Sequence, residues 1–177
     1  RTRPGPRRAA EPGVVTTWIT APSTTELTAA AEVIQRVPLR QIMVSAAVPV
    51  VLVTPSAVAS AGWLARLQNG RERFVVSRGL HPHSREALAA TSAGWGTTIE
   101  EIPLKDGVTD AAALAAAVSD DVSAVFLQYP NFLGAVEDLE TLVDATRDAL
   151  VVVQCDAIPL GILRPPGDFG VDIAVGE

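Results

Sequence analysis

The sequence predicts an α/β protein built in three layers around a mostly parallel sheet. From about residue 55, stretches with helical apolar periodicity alternate with short, nearly continuous apolar stretches. Such continuous apolar strands are typical of a sheet that is covered on both faces. Strands separated by helices of ten or more residues need crossover connections, and crossovers join parallel strands. A parallel sheet with helices on both sides follows from these two observations.

The predicted helices are bounded by capping and helix-breaking residues. Gly70 ends the first helix, and Gly94 ends the second, which begins at Pro82, whose fixed φ suits a first helical turn. Either Thr109 or Asp110 caps an alanine-rich third helix. In chain order we predict helices over residues 57–69 and 82–93, from that cap to 118, and over 136–147.

The predicted strands are short apolar runs between these helices. The second strand alternates, with Thr98 and Glu100 outward, whereas most of the others are nearly continuous apolar runs. The proline-rich and glycine-rich run 164–170 (RPPGDFG) predicts a rigid structural turn before the last strand. We predict strands over residues 73–77, 97–102, 123–128, 149–154 and 171–175.

The chain divides at about residue 58 into a divergent N-terminal segment, 1–58, and an α/β unit, 59–177. Residues 1–23 carry four arginines among four prolines and predict a poorly ordered tail. A short helix is expected over 24–36. The apolar run 42–53 predicts a buried strand, with a signal peptide as the alternative, and it is too short to span a bilayer. Because the first residue is Arg and no helix closes the C-terminus, we expect a fragment.

Composition excludes several classes of function. A chain of 177 residues with 48% hydrophobic and 19% charged residues is globular. A net charge of -6 argues against a nucleic-acid partner, which needs a basic face. The one cysteine, Cys155, allows neither an intrachain disulfide nor a cysteine-based metal site, and it favours a reducing, cytoplasmic setting. No phosphate-binding glycine loop, nucleophile elbow or metal-ligand spacing is present.

Two polar residues that follow strands are candidates for a site, because ligands gather at the carboxyl ends of parallel strands. His81 is either a surface or helix-capping residue or a ring placed against a flat ligand. Asp156 either caps the next segment or pairs with a protonated pyridine nitrogen, as a pyridoxal-phosphate (PLP) electron sink requires. Asn131 and Asp138 are interpreted as loop and helix-cap residues.

The lysine content bears on any such chemistry. PLP enzymes hold their cofactor as a Schiff base to a lysine amine. The chain has one lysine, Lys105, and it lies in the turn signature PLKDG, where an exposed ammonium is expected rather than a desolvated nucleophile. We therefore expect no Schiff base on this chain, and no cofactor in the isolated chain.

Four blocks in this order carry a family resemblance: residues 75–88 (VVSRGLHPHSREAL), 101–110 (EIPLKDGVTD), 128–140 (QYPNFLGAVEDLE) and 155–177 (CDAIPLGILRPPGDFGVDIAVGE). They resemble the N-terminal portion of the glycine cleavage system P-protein, glycine dehydrogenase (decarboxylating), in particular the separate subunit 1 of bacteria with a split enzyme. The resemblance covers about residues 61–177. It implies part of the large domain of aminotransferase-type (fold type I) PLP enzymes.

The resemblance also implies a function for the complete enzyme. That enzyme uses PLP, decarboxylates glycine and transfers the aminomethyl group to the lipoyl H-protein. Only its C-terminal half, or subunit 2, carries the PLP lysine. His81 and Asp156 match the ring-stacking and pyridine-nitrogen positions of related folds, so the resemblance implies cofactor-binding remnants of a duplicated site, with no catalytic residue in this chain.

Two expectations remain beside this interpretation. Residues 1–58 lack the Tyr- and Pro-containing segment and the Tyr-Asp-Gly stretch that the family resemblance leads us to expect before the helix at Ala57. Their bias resembles GC-rich coding sequence translated out of frame. The alternative function is a non-catalytic interaction module with an aminotransferase fold and no glycine chemistry.

Overall fold

The structure is a computed structural model, and it describes residues 54–156 and 158–176. Its elements in chain order are α1 (Thr54–Asn69), β1 (Arg73–Ser77), α2 (Pro82–Trp95), β2 (Thr98–Ile102), β3 (Leu104–Lys105), β4 (Val108–Thr109), α3 (Ala111–Ala117), β5 (Val122–Tyr129), α4 (Leu139–Ala145), β6 (Leu150–Cys155) and β7 (Ile173–Gly176). Two short 3-10 helices, Pro159–Gly161 and Pro166–Phe169, lie between β6 and β7.

The main sheet has five strands in the order β2-β1-β5-β6-β7, and every neighbouring pair is parallel. Val125 of the central strand lies beside Val75 on one side and Val151 on the other. The predicted mostly parallel, three-layer sheet is therefore confirmed. All five strands end at the same edge, which is called the carboxyl edge below.

Helices cover both faces of the sheet. On one face α1 and α2 pack against alternate strand residues such as Phe74 and Phe126, whose rings meet edge to face at 5.1 Å. On the other face α3 and α4 pack against the intervening residues, including Val75 and Val125. The side-chain period of two along a strand divides each apolar run between the two cores, which explains why the middle of most of these strands is a continuous apolar run.

Gly62 allows α1 to approach its neighbours closely. A Cβ atom at this position would lie 3.1 Å from Leu88 of α2 and 3.1 Å from the Phe74 ring. Glycine is otherwise a poor helix former. Its place in the middle of α1 therefore reflects packing.

Several predicted element ends were wrong. Helix α2 continues through Gly94 to Trp95 and ends at Gly96, which adopts the left-handed conformation with φ 72. Helix α4 begins at Leu139 instead of residue 136, because Asp138 is its N-cap and accepts the amide hydrogen of Thr141. Helix α1 begins three residues before the predicted start.

Other boundaries agree with the sequence. Strand β1 matches its prediction, and Asp110, one of the two proposed caps, accepts amide hydrogens from Ala112 and Ala113 at the start of α3. The small antiparallel hairpin β3–β4 was not predicted; its turn residues Asp106 and Gly107 have φ of 53 and 83. The predicted rigid turn contains the 3-10 helix Pro166–Phe169. The tail, the helix over 24–36 and the apolar run 42–53 lie outside the described residues.

Candidate functional site at the carboxyl edge

The loops that follow β1, β5 and β6 all lie at the carboxyl edge, and they hold the polar residues singled out in the sequence. His81 follows β1, Asn131 follows β5, and Asp156 follows β6. Because β5 lies between β1 and β6, one strand separates the two candidate residues His81 and Asp156. The predicted convergence on one edge is therefore present.

His81 is the N-cap of α2. Its backbone N–H donates to Gln128 Oε1 at 2.8 Å, and its ring Nδ1 accepts the amide hydrogen of His83 at 3.2 Å. The ring also meets the Phe132 ring edge to face, with 4.8 Å between centroids, and the His83 ring at 5.1 Å. The helix-capping interpretation of His81 therefore matches the geometry. The His81 ring packs against the rings of His83 and Phe132.

The ends of the two central strands hold α2 in place. Gln128 and Gln154 are register partners on β5 and β6. Gln128 accepts from the backbone of His81, and Gln154 accepts from the hydroxyl of Ser84 at 2.7 Å. These contacts fix the first turn of α2 over the carboxyl edge, so the position of His81 is set by the strands.

Asp156 is exposed, and its Oδ1 accepts the amide hydrogen of Ile158 at 2.9 Å. This bond caps the segment that follows β6. The neighbouring Cys155 is partly buried, and burial, together with the charge of Asp156, raises the pKa of its thiol. A raised pKa keeps the sulfur in its less reactive thiol form.

Asn131 organises the loop after β5 with all of its side-chain hydrogen-bonding groups. Its Oδ1 accepts the amide hydrogens of Leu133 and Ala135, both at 3.0 Å. Its Nδ2 donates to the Gly107 carbonyl at 2.8 Å and to Glu137 Oε1 at 2.9 Å. The loop is therefore a built structure, and it presents three exposed apolar side chains, Phe132, Leu133 and Val136.

Glu137 is a buried acid at this edge that the sequence analysis did not single out. Its buried carboxylate accepts the backbone N–H and the hydroxyl of Thr109, each at 2.9 Å, besides the amide of Asn131. The Thr109 hydroxyl also lies 2.7 Å from the hydroxyl of Ser77. The one local signal in the sequence was an acid directly before an N-cap, which does not reveal a hydrogen-bond partner that lies 28 residues earlier.

Charged residues beside β2 form a second, more exposed group. Glu101 pairs with Arg78 at 3.1 Å and with Arg85 at 2.9 Å. Partial burial acts to raise the pKa of Glu101, but hydrogen bonds and charge from the two arginines outweigh it and hold that pKa below its ordinary value. Across residues 54–156 and 158–176 no cluster of three His, Cys, Asp or Glu side chains could hold a metal ion.

Comparison with known proteins decides the family. The family model described as glycine cleavage system P-protein matches residues 44–177. The chain belongs to the glycine cleavage system P-protein family. Among curated P-protein relatives, the probable glycine dehydrogenase (decarboxylating) subunit 1 of Lysinibacillus sphaericus is 44% identical over 124 residues, and that of Geobacillus thermodenitrificans is 39% identical over 124 residues. Each alignment covers 69% of this chain and 28% of the relative, so the chain spans under a third of their length.

Solved structures agree with the P-protein fold. A crystal structure of glycine decarboxylase (P-protein) in inhibitor-bound form matches with a TM-score of 0.63 at 38% identity, covering 70% of this chain and 28% of that one. A NifS-like protein matches with a TM-score of 0.51 at 16% identity, covering 57% of this chain and 30% of that chain, which bears on the fold alone. The predicted fold class, part of the large domain of fold type I enzymes, is confirmed.

Proposed function

We propose that this chain is a partner-dependent, non-catalytic portion of glycine dehydrogenase. In the assembled enzyme, glycine is decarboxylated and the aminomethyl group passes to the lipoyl H-protein. The observation that carries the proposal is the P-protein family match over residues 44–177, joined to relatives that are named as subunit 1. The partner is subunit 2, or the C-terminal half of a fused P-protein.

The residues of this chain do not fit covalent attachment of PLP. Such attachment needs a lysine amine at the site. Lys105 is the chain's one lysine, and it lies exposed on the two-residue strand β3, beside a tight turn. We therefore place the cofactor lysine on the partner, expect no cofactor on the isolated chain, and derive no chemical step through PLP here.

His81 and Asp156 are proposed as cofactor-binding remnants that now serve the fold and the interface. The proposal is supported by their hydrogen bonds, since the backbone and ring of His81 begin α2 and the carboxylate of Asp156 caps the segment after β6. Each residue thus has a structural task that needs no ligand. No catalytic residue is proposed in this chain.

The proposal extends to setting and organisation. We place the protein in the cytoplasm, without a nucleic-acid partner, in keeping with its acidic composition. No membrane partner is proposed; within the described part of the chain no helix is long and apolar enough to cross a bilayer. We propose residues 59–177 as the α/β unit and residues 1–58 as a divergent segment.

The proposal is tested by assembly and turnover together. The full chain is co-expressed with a lysine-bearing subunit 2 of a related bacterium and purified through a tag on one partner. Glycine decarboxylation is then measured with PLP and the lipoyl H-protein, with and without this chain. Activity that requires both chains is expected. Activity of subunit 2 that is unchanged by adding this chain, or failure to co-purify, contradicts the proposal. Either result favours the alternative, a non-catalytic interaction module that takes no part in glycine chemistry.

A further inference from the structure

Glu137 is a buried acid to which the proposed function gives no role. Its side chain is 4% exposed, and no arginine, lysine or histidine within residues 54–156 and 158–176 forms an ion pair with it. Burying a carboxylate is costly unless hydrogen bonds replace its hydration. The reason for a carboxylate at this position must therefore lie in the groups that it holds.

The carboxylate ends a directed chain of hydrogen bonds that begins in the loop after β1. The Gly79 N–H donates to Ser77 Oγ at 2.9 Å, and the Ser77 and Thr109 hydroxyls lie 2.7 Å apart. Thr109 gives its one hydroxyl proton to Glu137 at 2.9 Å, so the Ser77 hydroxyl must donate to Thr109. All donors point the same way, and bonds in such a chain strengthen one another.

The same carboxylate fixes the loop after β5. Asn131 Nδ2 donates to Glu137, and this bond orients the Asn131 side-chain amide. Asn131 Oδ1 consequently faces the backbone N–H groups of Leu133 and Ala135, from which it accepts hydrogen bonds. The next residue, Phe132, donates its N–H to the Gly79 carbonyl at 2.8 Å. Glu137 therefore holds the loop after β1 and the loop after β5 at once.

Close packing leaves these two loops little freedom. A Cβ atom on Gly79 would lie 3.2 Å from Glu137 Oε1 and 3.1 Å from the Asn131 Cβ. Two residues beyond Gly79, the His81 ring meets the Phe132 ring. We infer that Glu137 is a positioning residue that fixes the His81 ring against the Phe132 ring by locking both loops. In the assembled enzyme, on the proposed function above, it sets the shape of this edge.

An amide cannot replace the carboxylate at this position. All three groups around Glu137, the Thr109 N–H, the Thr109 hydroxyl and the Asn131 amide, donate to it. In Glu137→Gln one side-chain oxygen becomes NH₂, which places a donor against a donor in either orientation of the amide. The substitution keeps the volume and removes the lock.

The experiment measures the His81 ring resonances by NMR in the full chain labelled with ¹³C-histidine. The chain has two histidines, so His81→Asn assigns them. Phe132→Leu should shift the His81 ring resonance by removing the aromatic ring current. Glu137→Gln should shift it in the same direction, whereas Glu140→Gln, the same change at an exposed glutamate of α4, should leave it in place. A folded Glu137→Gln chain with the original His81 resonance overturns the inference.

Amide hydrogen exchange of the unsubstituted chain keeps the inference testable if Glu137→Gln does not fold. The Leu133 amide belongs to a residue that is 65% exposed, yet it should exchange slowly and in step with the Thr109 amide. Rapid exchange of Leu133 beside a protected Thr109 overturns the inference. Both measurements use the chain without a partner, so their failure is distinct from a failure to assemble with subunit 2.

Discussion

Asn69 and Ser123 hold each other through two reciprocal hydrogen bonds at the amino edge of the sheet. Asn69 Nδ2 donates to the Ser123 carbonyl at 2.9 Å, and the Ser123 hydroxyl donates to Asn69 Oδ1 at 2.9 Å. Asn69 is the last residue of α1, and Ser123 is the second residue of β5. The pair therefore ties the end of a helix to the central strand.

Replacing Asn69 by alanine should destabilise the fold. Ser123 is fully buried, so Asn69→Ala leaves its hydroxyl without an acceptor, at a cost of about 1–3 kcal/mol. Urea denaturation of the single variants and of the Asn69→Ala/Ser123→Ala double variant measures the coupling. Costs that add independently would show that the two side chains do not act as a pair.

Two helical glycines should differ in how much stability they lose on the same substitution. Gly62→Val drives a branched side chain into Leu88 and Phe74, and overpacking of this kind costs about 1–3 kcal/mol. Gly94→Val is the matched control, because nothing lies within 4 Å of the Cβ position there. Its stability should change by less than about 0.5 kcal/mol. Equal thermal midpoints for the two variants would contradict the packing of α1 on α2.

His81 should contribute to stability as a helix cap. His81→Ala removes the ring acceptor of the His83 amide, at a cost of about 1 kcal/mol. Asparagine is a favoured N-cap residue, so His81→Asn should recover most of that loss. Chemical denaturation of both variants checks the expectation, and an alanine variant as stable as the parent chain would remove the capping role.

Glu101 should add a pH-dependent contribution. Its pKa is held below the ordinary 4.5 in the folded chain, so its stabilisation is present above that value and is lost as pH falls through the lowered folded value. The Glu101 side chain is 37% exposed, which keeps the effect below about 1 kcal/mol. Glu101→Gln should flatten the acid limb of the stability profile, and Arg85→Gln should add little in that background. If Glu101→Gln leaves the acid limb unchanged, Glu101 does not contribute to the pH dependence of stability.

The sequence was sufficient for the sheet because its signals are local. Runs such as 74–76 place three apolar residues in succession, as a strand covered on both faces requires, and glycine follows α1 directly. The predicted end of α2 at Gly94 was wrong by two residues, because Gly94 and Gly96 both permit a left-handed cap and no local pattern in the sequence distinguishes them. Asp138 was recognisable as a cap because its partners lie within three residues.

The buried hydrogen-bond network at the carboxyl edge could not be predicted from the sequence, because its contacts are not local. Glu137 accepts from Thr109, which lies 28 residues earlier, and Thr109 contacts Ser77, 32 residues earlier again. No periodic pattern encodes contacts between loops at these separations. The positions of His81 and Asp156 after their strands were predictable, whereas the hydrogen bonds that occupy them depend on the folded loops.

The most direct test of the central claim, that this chain does not anchor PLP, is borohydride reduction after incubation with PLP. Peptide mass spectrometry then locates any pyridoxyl group, in the chain alone and in its complex with subunit 2. We expect the group on a lysine of subunit 2, with none retained stoichiometrically on Lys105. A stable, stoichiometric pyridoxyl group on Lys105 that disappears in Lys105→Arg would contradict the account.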